Sequence, residues 1–336
     1  MAENKQQESL VPSPRLLHVV VFPWLAFGHM IPFMELSQQL AKRGHLVTFV
    51  STPIEEHRQA AAPVDGLPEG AESTADVTPE KIELLKVAFD GLATPFTSFL
   101  AEACAGGDAG PDWIVVDFSH HWLPPIADQH KARSSIGSNI CILIILVPCA
   151  LFLIVPAAFV AFLGPRELND AHPRTAPEDF TVPPPWIPAP SPLAYRLHEA
   201  QWIAHVAFRP NASGMARFWE TTPRCSVIIY RCSREVDGPL CPLLEDLFAA
   251  KPVVPAGRRR LPAGLRVGWV PQVRVLAHAA VGAFMTHAGL SSLMENFLFG
   301  HPIVMLPLFV DQGLTARQWR SQSDSEEGAG MNNIAV

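Results

Sequence analysis

Hydrophobic positions at the start of the chain predict a β-α-β unit. Residues 16–24 form a continuous, valine-rich apolar run, which is typical of a strand buried in a parallel sheet. A turn follows, and from about Met30 apolar residues recur at the spacing of one helix face, with Gly44 where the helix is expected to end. Residues 45–52 return to a strand pattern. Because such units cross over right-handed, the pattern predicts a doubly wound α/β sheet.

Further apolar runs predict strands along the rest of the chain. They cover residues 113–117, 226–230, 281–286 and 302–308. The first of these runs ends in a carboxylate, Asp117. Ser292 and Glu295 have the spacing of a capping box and predict the start of a helix. A length of 336 residues allows two domains of ordinary size.

Two stretches interrupt this pattern. Residues 170–192 carry a cluster of prolines, which remove backbone donors and predict a surface loop. Residues 140–163 are almost wholly apolar and long enough to span a bilayer, although Pro148 and Pro156 interrupt them. We interpret this stretch as one or two buried strands of the sheet. A membrane-associated protein anchored by residues 140–163 is the alternative.

Composition and charge favour a folded protein of a reducing compartment. Hydrophobic residues make up 49% of the chain and charged residues 17%, which is far too apolar for a disordered protein. The net charge of −7, without a long basic run, disfavours binding to nucleic acid or to an anionic membrane surface. Six scattered cysteines indicate buried thiols, and the first fourteen residues lack the apolar run of a signal peptide. We therefore expect a cytoplasmic protein.

The densest set of candidate binding residues lies in the last quarter of the chain. In order, it contains Trp269-Val270-Pro271-Gln272, Thr286-His287-Ala288-Gly289, Ser292, Glu295, Gly300-His301-Pro302 and Asp311-Gln312. With this spacing the segment resembles the C-terminal signature box of plant family 1 UDP-glycosyltransferases. Residues 17–29, 66–74 and 112–122 also resemble that family. These pieces look most like the branch that adds a sugar to flavonoid, saponin or diterpene glycosides.

The resemblance implies a site for the nucleoside of a UDP-sugar. Trp269, with Val270 beside it, would stack on the uracil. Gln272 and Glu295 would offer the polar pair that holds the two ribose hydroxyls. Taken singly, Trp269 could instead be a core residue and Glu295 only a partner in the capping box.

The resemblance also implies a site for the diphosphate and the sugar. A turn that leads into a helix would present backbone N–H groups to the diphosphate, free of bulky side chains. The residues concerned are His287, Gly289, Ser291 and Ser292. Asp311 and Gln312 would meet the sugar hydroxyls at the carboxyl edge of the sheet, although alone they could be an ordinary loop.

His29 is the candidate catalytic base. The resemblance implies that it takes the proton of an acceptor hydroxyl as that oxygen attacks the anomeric carbon, while UDP leaves from the opposite face with inversion. At a strand–helix turn the positive end of the helix favours the neutral imidazole, and Asp117 would orient it. A capping or core histidine is the alternative for His29. We interpret His120 and His121 as pocket lining or surface residues.

The implied fold is GT-B-like, with two doubly wound, Rossmann-like domains of which the C-terminal one is incomplete. We predict a disordered N-terminus, an acceptor-binding domain, a linker, a partial UDP-sugar-binding domain and a disordered tail. These cover residues 1–14, 15–250, 251–268, 269–316 and 317–336. We expect a monomer that binds a UDP-sugar and a small lipophilic acceptor, with no cofactor. The sequence has no metal-ligand spacing, so no metal is expected.

The chain departs from the family pattern at several points. Leu290 and Ser291 stand where the family has tryptophan and asparagine, so the affinity for the donor should fall. The segment 251–268 is too short for the first elements of the family's C-terminal domain, residues 132–146 look inserted, and the chain ends early. Deletion, mis-splicing or an erroneous gene prediction could each produce this pattern. A catalytically inactive family member is therefore the alternative to an active transferase.

Overall fold

The computed structural model describes ten segments of the chain. They are residues 15–51, 64–105, 110–133, 144–208, 213–231, 240–248, 251–255, 272–307, 310–323 and 334–335. In these segments, parallel strands alternate with helices, which confirms the predicted α/β class.

The strands of the described segments form two parallel sheets and one hairpin. They are β1 His18–Phe22, β2 Leu46–Phe49, β3 Trp113–Val116, β4 Lys131–Arg133, β5 Ile144–Leu146, β6 Cys149–Leu153, β7 Val227–Tyr230, β8 Val253–Pro255, β9 Phe284–Thr286, β10 Ile303–Met305 and β11 Ile334–Ala335.

The helices connect these strands and cover the sheets. They are α1 Phe27–Ala41, α2 Ile82–Asp90, α3 Ala93–Ala105, α4 Leu123–Ala127, α5 Ala157–Leu163, α6 Arg166–Ala171, α7 Leu197–Ile203, α8 Ser213–Thr221, α9 Leu240–Leu247, α10 Gln272–Leu276, α11 Leu290–Phe297 and α12 Gln312–Ser323.

The N-terminal half is built on a six-stranded parallel sheet in the order β2-β1-β3-β6-β7-β8. Side chains of β1 alternate between two hydrophobic clusters, with Val20 and Phe22 on one face and Val19 and Val21 on the other. A parallel sheet that is covered on both faces requires such continuous apolar strands. The chain reverses its direction of winding between β1 and β3, so the residues that follow these two strands lie side by side at the carboxyl edge.

The C-terminal half contains a three-stranded parallel sheet in the order β11-β10-β9. Leu293 of α11 and Met305 of β10 belong to the same hydrophobic cluster as the core of the N-terminal half. Trp319 of α12 is fully buried, and its ring stacks on Phe297 at 4.3 Å between centroids. The two halves therefore share one continuous core.

The predicted domain boundaries need two corrections. Val253–Pro255 pairs with β7 as the last strand of the first sheet, so the segment 251–268 does not begin as a linker. Gln312–Ser323 is a helix, so the predicted disordered tail 317–336 is wrong for residues 317–323; the buried Trp319 explains why a polar sequence folds here. Residues 334–335 pair with β10 as a further strand. Residues 1–14 lie outside the described residues.

Two local predictions also change. The helix predicted to start at a capping box begins at Leu290, with Gly289 as its N-cap, so Ser292 and Glu295 lie inside the helix and do not cap it. The proline-rich stretch 170–192 is irregular except for the end of α6 and one 3-10 turn, Pro177–Phe180, which Asp179 closes by accepting the N–H groups of Thr175 and Ala176.

The apolar stretch at residues 140–163 contributes buried core residues from Val147 to Leu163. It contains the strands β5 and β6, in agreement with the predicted strands. Its last part is the wholly buried helix α5, which was not predicted. The predicted insert, residues 132–146, overlaps the hairpin of β4 and β5, whose strands pair antiparallel from Lys131 with Leu146. Among the described residues, one helical segment, Pro79–Ala105, is long and apolar enough to cross a membrane by composition. It buries Leu85 and Phe96 in the core.

Candidate functional site

A histidine–aspartate pair lies at the carboxyl edge of the N-terminal sheet. The helix α1 begins at Phe27, earlier than the predicted Met30, which places His29 in its first turn. Nδ1 of His29 lies 2.7 Å from Oδ2 of Asp117, the residue that follows β3. The Asp117 side chain is buried, while about a fifth of the His29 side chain is exposed. The pair therefore presents one imidazole edge to the outside and keeps its carboxylate inside.

The carboxylate of Asp117 is held ionised by its partners. Burial acts to raise its pKa, but the charge and the hydrogen bond of His29 outweigh burial and lower it. The backbone N–H groups of Trp24 and Phe118 also donate to this carboxylate, at 3.1 and 2.7 Å. An ionised Asp117 that accepts from Nδ1–H leaves Nε2 of His29 as the free basic nitrogen.

His120 is neither pocket lining nor surface, contrary to the prediction. It is fully buried beneath Asp117, and its ring packs edge-on against Phe22 at 4.7 Å. Burial lowers the pKa of His120 to about 4, so its ring is neutral near pH 7. His121 is partly exposed and lies 3.5 Å from a guanidinium nitrogen of Arg217.

The N-terminus of α11 forms the second element of the site. Gly289 is its N-cap, and a Cβ atom placed there would lie 2.5 Å from Nε2 of His287, so the absence of a side chain lets the imidazole lie over the start of the helix. Ala288 has φ 66°, a left-handed conformation that costs a non-glycine residue energy and is typical of functional turns. Ser291 and Ser292 occupy the first turn of α11 and are partly exposed.

A charged cluster joins this helix to the N-terminal half. Arg231 follows β7, and its Nη2 lies 2.9 Å from Oε2 of Glu35 on α1. Its Nη1 donates to Oγ of Ser291 at 2.5 Å. Burial raises the pKa of Glu295, and the charges of Arg231 and Glu35 act on it in opposite directions. Sequence reasoning missed Arg231 and Glu35, although Arg231 stands directly after a predicted strand, much as Asp117 stands at the end of one.

Asp311 and Gln312 lie where β10 leads into α12. Burial raises the pKa of Asp311 to about 6, and the charge of His29 acts against this increase, so the two side chains are close enough to interact electrostatically. Val310, which precedes them, has φ 57° and accepts a hydrogen bond from the Tyr195 hydroxyl at 3.0 Å. Gln312 is buried as the first residue of α12. Arg231 also joins α1, the helix that carries His29, to the start of α11. The carboxyl edges of the two sheets therefore face each other, and we call the space between them the cleft.

Three of the predicted binding residues are not tested by these contacts. Trp269 and Val270 lie outside the described residues. Gln272 is the first residue of α10, a helix that contacts α11, and its pairing with Glu295 on a ribose stays a prediction. No three histidine, cysteine, aspartate or glutamate side chains among the described residues could hold a metal ion, and the absence of a metal from the reaction also stays a prediction.

This arrangement combines two chemical capabilities in one cleft. An imidazole backed by a buried carboxylate can accept a proton from a hydroxyl group. A helix N-terminus with nearby hydroxyls and an imidazole can bind an anion through backbone N–H groups and the helix dipole. Together they suit the transfer of a group from an anionic carrier to a hydroxyl.

Comparison with known proteins agrees with this chemistry. Residues 261–327 match the family model for UDP-glucuronosyl and UDP-glucosyl transferases. UDP-glycosyltransferase 91D1 of Stevia rebaudiana is 31% identical over 411 aligned positions, which cover 92% of this chain and 80% of the relative. Soyasaponin III rhamnosyltransferase of Glycine max is 25% identical, over 90% of this chain and 80% of the relative. Because 411 positions exceed the 336 residues of the chain, the Stevia relative carries segments that this chain lacks.

Solved structures give the fold independently. The chain is similar to UGT89C1 of Arabidopsis thaliana, with a TM-score of 0.62 and 15% identity over 92% of this chain and 84% of that one. It is also similar to UGT73P12 of Glycyrrhiza uralensis, with a TM-score of 0.64 and 16% identity over 90% of this chain and 79% of that one. The fold is therefore GT-B, as predicted. The 31% identity to the Stevia relative extends over 92% of this chain and 80% of the relative. The chain therefore belongs to the plant family 1 UDP-glycosyltransferases.

Proposed function

We propose that this chain transfers a hexosyl or rhamnosyl group from a UDP-sugar to a hydroxyl of a flavonoid, terpenoid or saponin-type acceptor or its glycoside, with inversion. The observation that supports this most is the His29–Asp117 pair at 2.7 Å, in the cleft that also contains Asp311 and the start of α11. A proton acceptor and an anion site on opposite walls suit a single displacement.

In the proposed step, Nε2 of His29 takes the proton of the acceptor hydroxyl as that oxygen forms its bond to the anomeric carbon. The bond from that carbon to the UDP oxygen breaks on the opposite face, and UDP carries away the electron pair. The imidazolium is stabilised by the ionised carboxylate of Asp117, whose pKa its partners keep low. Positioned proton transfer of this kind contributes about 10²- to 10⁴-fold to the rate.

We assign the donor to the C-terminal half. His287, Gly289, Ser291 and Ser292 surround the start of α11, where backbone N–H groups would meet the diphosphate. In the proposal Trp269 stacks on the uracil, and Asp311 meets sugar hydroxyls across from His29.

The choice of sugar and acceptor is supported by the relatives. A soyasaponin rhamnosyltransferase and glycosyltransferases from Stevia share about a quarter to a third of their residues with this chain. We therefore place a glycosylated, lipophilic acceptor and either a glucosyl or a rhamnosyl donor first among the candidates.

The test is release of UDP from UDP-glucose or UDP-rhamnose in the presence of a flavonol glycoside, for the wild type, H29A and H18A. His18 is a matched control because its imidazole is also half-buried and hydrogen-bonded, to Thr48 at 2.9 Å, but lies at the opposite end of β1. We expect H29A to lose at least about 100-fold of the rate while it still binds UDP, and H18A to keep both. Acceptor-dependent release that H29A retains would overturn the proposed role.

A second candidate is a family member that has lost catalysis. It is favoured by Leu290, which is only 5% exposed and belongs to the core, so it offers little surface to a sugar where the family has tryptophan. Thermal protection separates the two: UDP should raise the melting temperature of the wild type, and W269A should abolish that shift. Protection by UDP without turnover of any tested donor would favour the inactive binding protein.

A further inference from the structure

Arg231 is a buried cation between the two halves of the molecule. Its side chain is 9% exposed, although it directly follows β7 at the carboxyl edge of the sheet. One guanidinium nitrogen pairs with Glu35 and the other donates to Oγ of Ser291 in the first turn of α11. The guanidinium thus reaches the helix start that faces the cleft.

This position is electrostatically unusual for an arginine. The N-terminus of a helix carries partial positive charge and stabilises anions, so a guanidinium placed there is repelled by the helix dipole. Two carboxylates offset this repulsion. Glu35 forms an ion pair with Arg231, and Glu295 is close enough for its charge to interact with the guanidinium. A cation, a hydroxyl and a helix N-terminus that converge on one point form a strong site for a phosphate group.

We propose that Arg231 binds the diphosphate of the nucleotide donor, with Glu35 as the partner that holds the guanidinium until the donor arrives. The assignment rests on the proposed function and adds a residue to it. A planar guanidinium can form two parallel hydrogen bonds to a phosphate, which a serine hydroxyl cannot. Ser291 accepts a hydrogen bond from Arg231 through its short side chain. The family has the larger asparagine at this position.

The competing explanation is that Arg231 is only an ion pair that holds the two halves together. The structure provides a matched comparison, because Arg317 of α12 also pairs across the halves, with Glu199 of α7 at 2.8 Å. Glu199 is buried as deeply as Arg231, but this second pair does not contact the start of α11. Loss of either pair should weaken the junction, whereas of the two arginines Arg231 is the one beside the start of α11, where we propose that the phosphates bind.

The experiment measures the affinity of UDP and of uridine by calorimetry for the wild type, R231A, R231K, E35Q and R317A. We expect R231A to bind UDP about ten- to a hundredfold more weakly and uridine unchanged, since uridine lacks the phosphates. R231K should fall between R231A and the wild type. E35Q should bind UDP at least as tightly as the wild type, because it releases the guanidinium and removes a nearby negative charge. R317A should bind both ligands like the wild type.

The opposite results separate the two explanations. Unchanged UDP affinity in R231A, or equal losses of UDP and uridine, would overturn the assignment, and so would weaker UDP binding by E35Q. Lower melting temperatures of R231A and R317A, without any change in UDP affinity relative to uridine, would show a structural ion pair. A wild-type chain that binds neither ligand would overturn the proposed function, and the assignment with it.

Discussion

The two halves of this molecule differ in how completely their sheets are covered. Side chains of β1 in the N-terminal sheet are buried on both faces. In the C-terminal sheet, Met285 of β9 and its register partner Val304 of β10 are 69% and 38% exposed, while Thr286 and Met305 face the core. Parallel sheets normally have helices on both faces. Among the described residues, the C-terminal sheet is therefore covered on one face, whereas the N-terminal sheet is covered on both.

This difference indicates which contacts hold each part of the site in place. The His29–Asp117 pair is fixed by strands and helices of one well-covered sheet. The start of α11 and Asp311 depend instead on contacts with the other half, through Trp319, the Tyr195–Val310 hydrogen bond and the ion pairs of Arg231 and Arg317. Changes in the first region should affect chemistry, and changes in the second should affect donor binding and stability.

The largest expected effect is on catalysis, from D117N. An asparagine can offer an N–H where His29 needs an acceptor, so the imidazole loses both its orientation and the charge that stabilises its protonated form. We expect a fall of about 10³- to 10⁴-fold in the rate of UDP release, as for the corresponding change in other histidine–carboxylate pairs, with UDP affinity unchanged. Steady-state kinetics and calorimetry measure both.

The matched control for that change is D112N. Asp112 accepts a backbone N–H from His18 and pairs with Arg15, but it precedes β3 at the opposite edge of the same sheet. Its variant should keep the wild-type rate. Equal losses of rate in both variants would mean that the sheet as a whole, and not the pair, supports the reaction.

The next largest effect is on the stability of the C-terminal half, from W319A. Removing a fully buried indole that stacks on Phe297 should cost about 3–5 kcal/mol of unfolding free energy. Denaturant titration followed by hydrogen exchange should show early opening of α11 and α12, with β1 and β3 still protected.

W319F is the control for this measurement. The indole Nε1 of Trp319 has no hydrogen-bond partner among the described residues, so phenylalanine keeps the stack and removes no hydrogen bond. It should cost much less than W319A. Loss of protection in β1 at the same denaturant concentration as α11 would contradict the difference between the halves.

A smaller effect concerns pH and Asp311. Burial raises the pKa of this carboxyl from 3.8 to about 6 in the folded protein, so its contribution to stability is present below pH 4 and is lost as pH rises through 6. An asparagine at position 311 does not ionise, so D311N does not lose stability in this way as the pH rises. The stability of D311N relative to the wild type should therefore increase between pH 4 and pH 7, by up to about 3 kcal/mol.

Urea titrations at several pH values measure this difference. D128N, at an exposed carboxylate, should show no comparable trend. A constant difference between D311N and the wild type would mean that Asp311 is well solvated and does not face His29 across a closed cleft.

Much of the N-terminal half could be predicted from the sequence because its signals are local. The continuous apolar runs of β1, β3 and β7 predicted strands within two residues, and Gly44 has the left-handed φ of 90° expected where α1 ends. The strand–helix turn with His29 and the carboxylate after β3 could also be found this way. Their contact follows from the neighbouring positions of β1 and β3 in the sheet.

The C-terminal half was harder to predict because its structure depends on distant contacts. Residues 317–323 have a polar sequence typical of a disordered tail, yet they fold as the second half of α12, because Trp319 enters a core built mainly by the other half. The Arg231–Glu35 pair joins residues 196 positions apart. Such long-range pairs leave no periodic pattern in the sequence.

Hydrogen exchange with and without UDP-glucose tests the common cleft most directly. We expect UDP-glucose to slow exchange in two segments at once, the β1–α1 turn around His29, which would face the sugar, and the start of α11 from His287 to Ser292, which would face the diphosphate. Exchange at the opposite sheet edge near Asp112 should stay unchanged. Protection of only one of these segments, or of neither, would contradict the claim that both walls face one nucleotide-sugar.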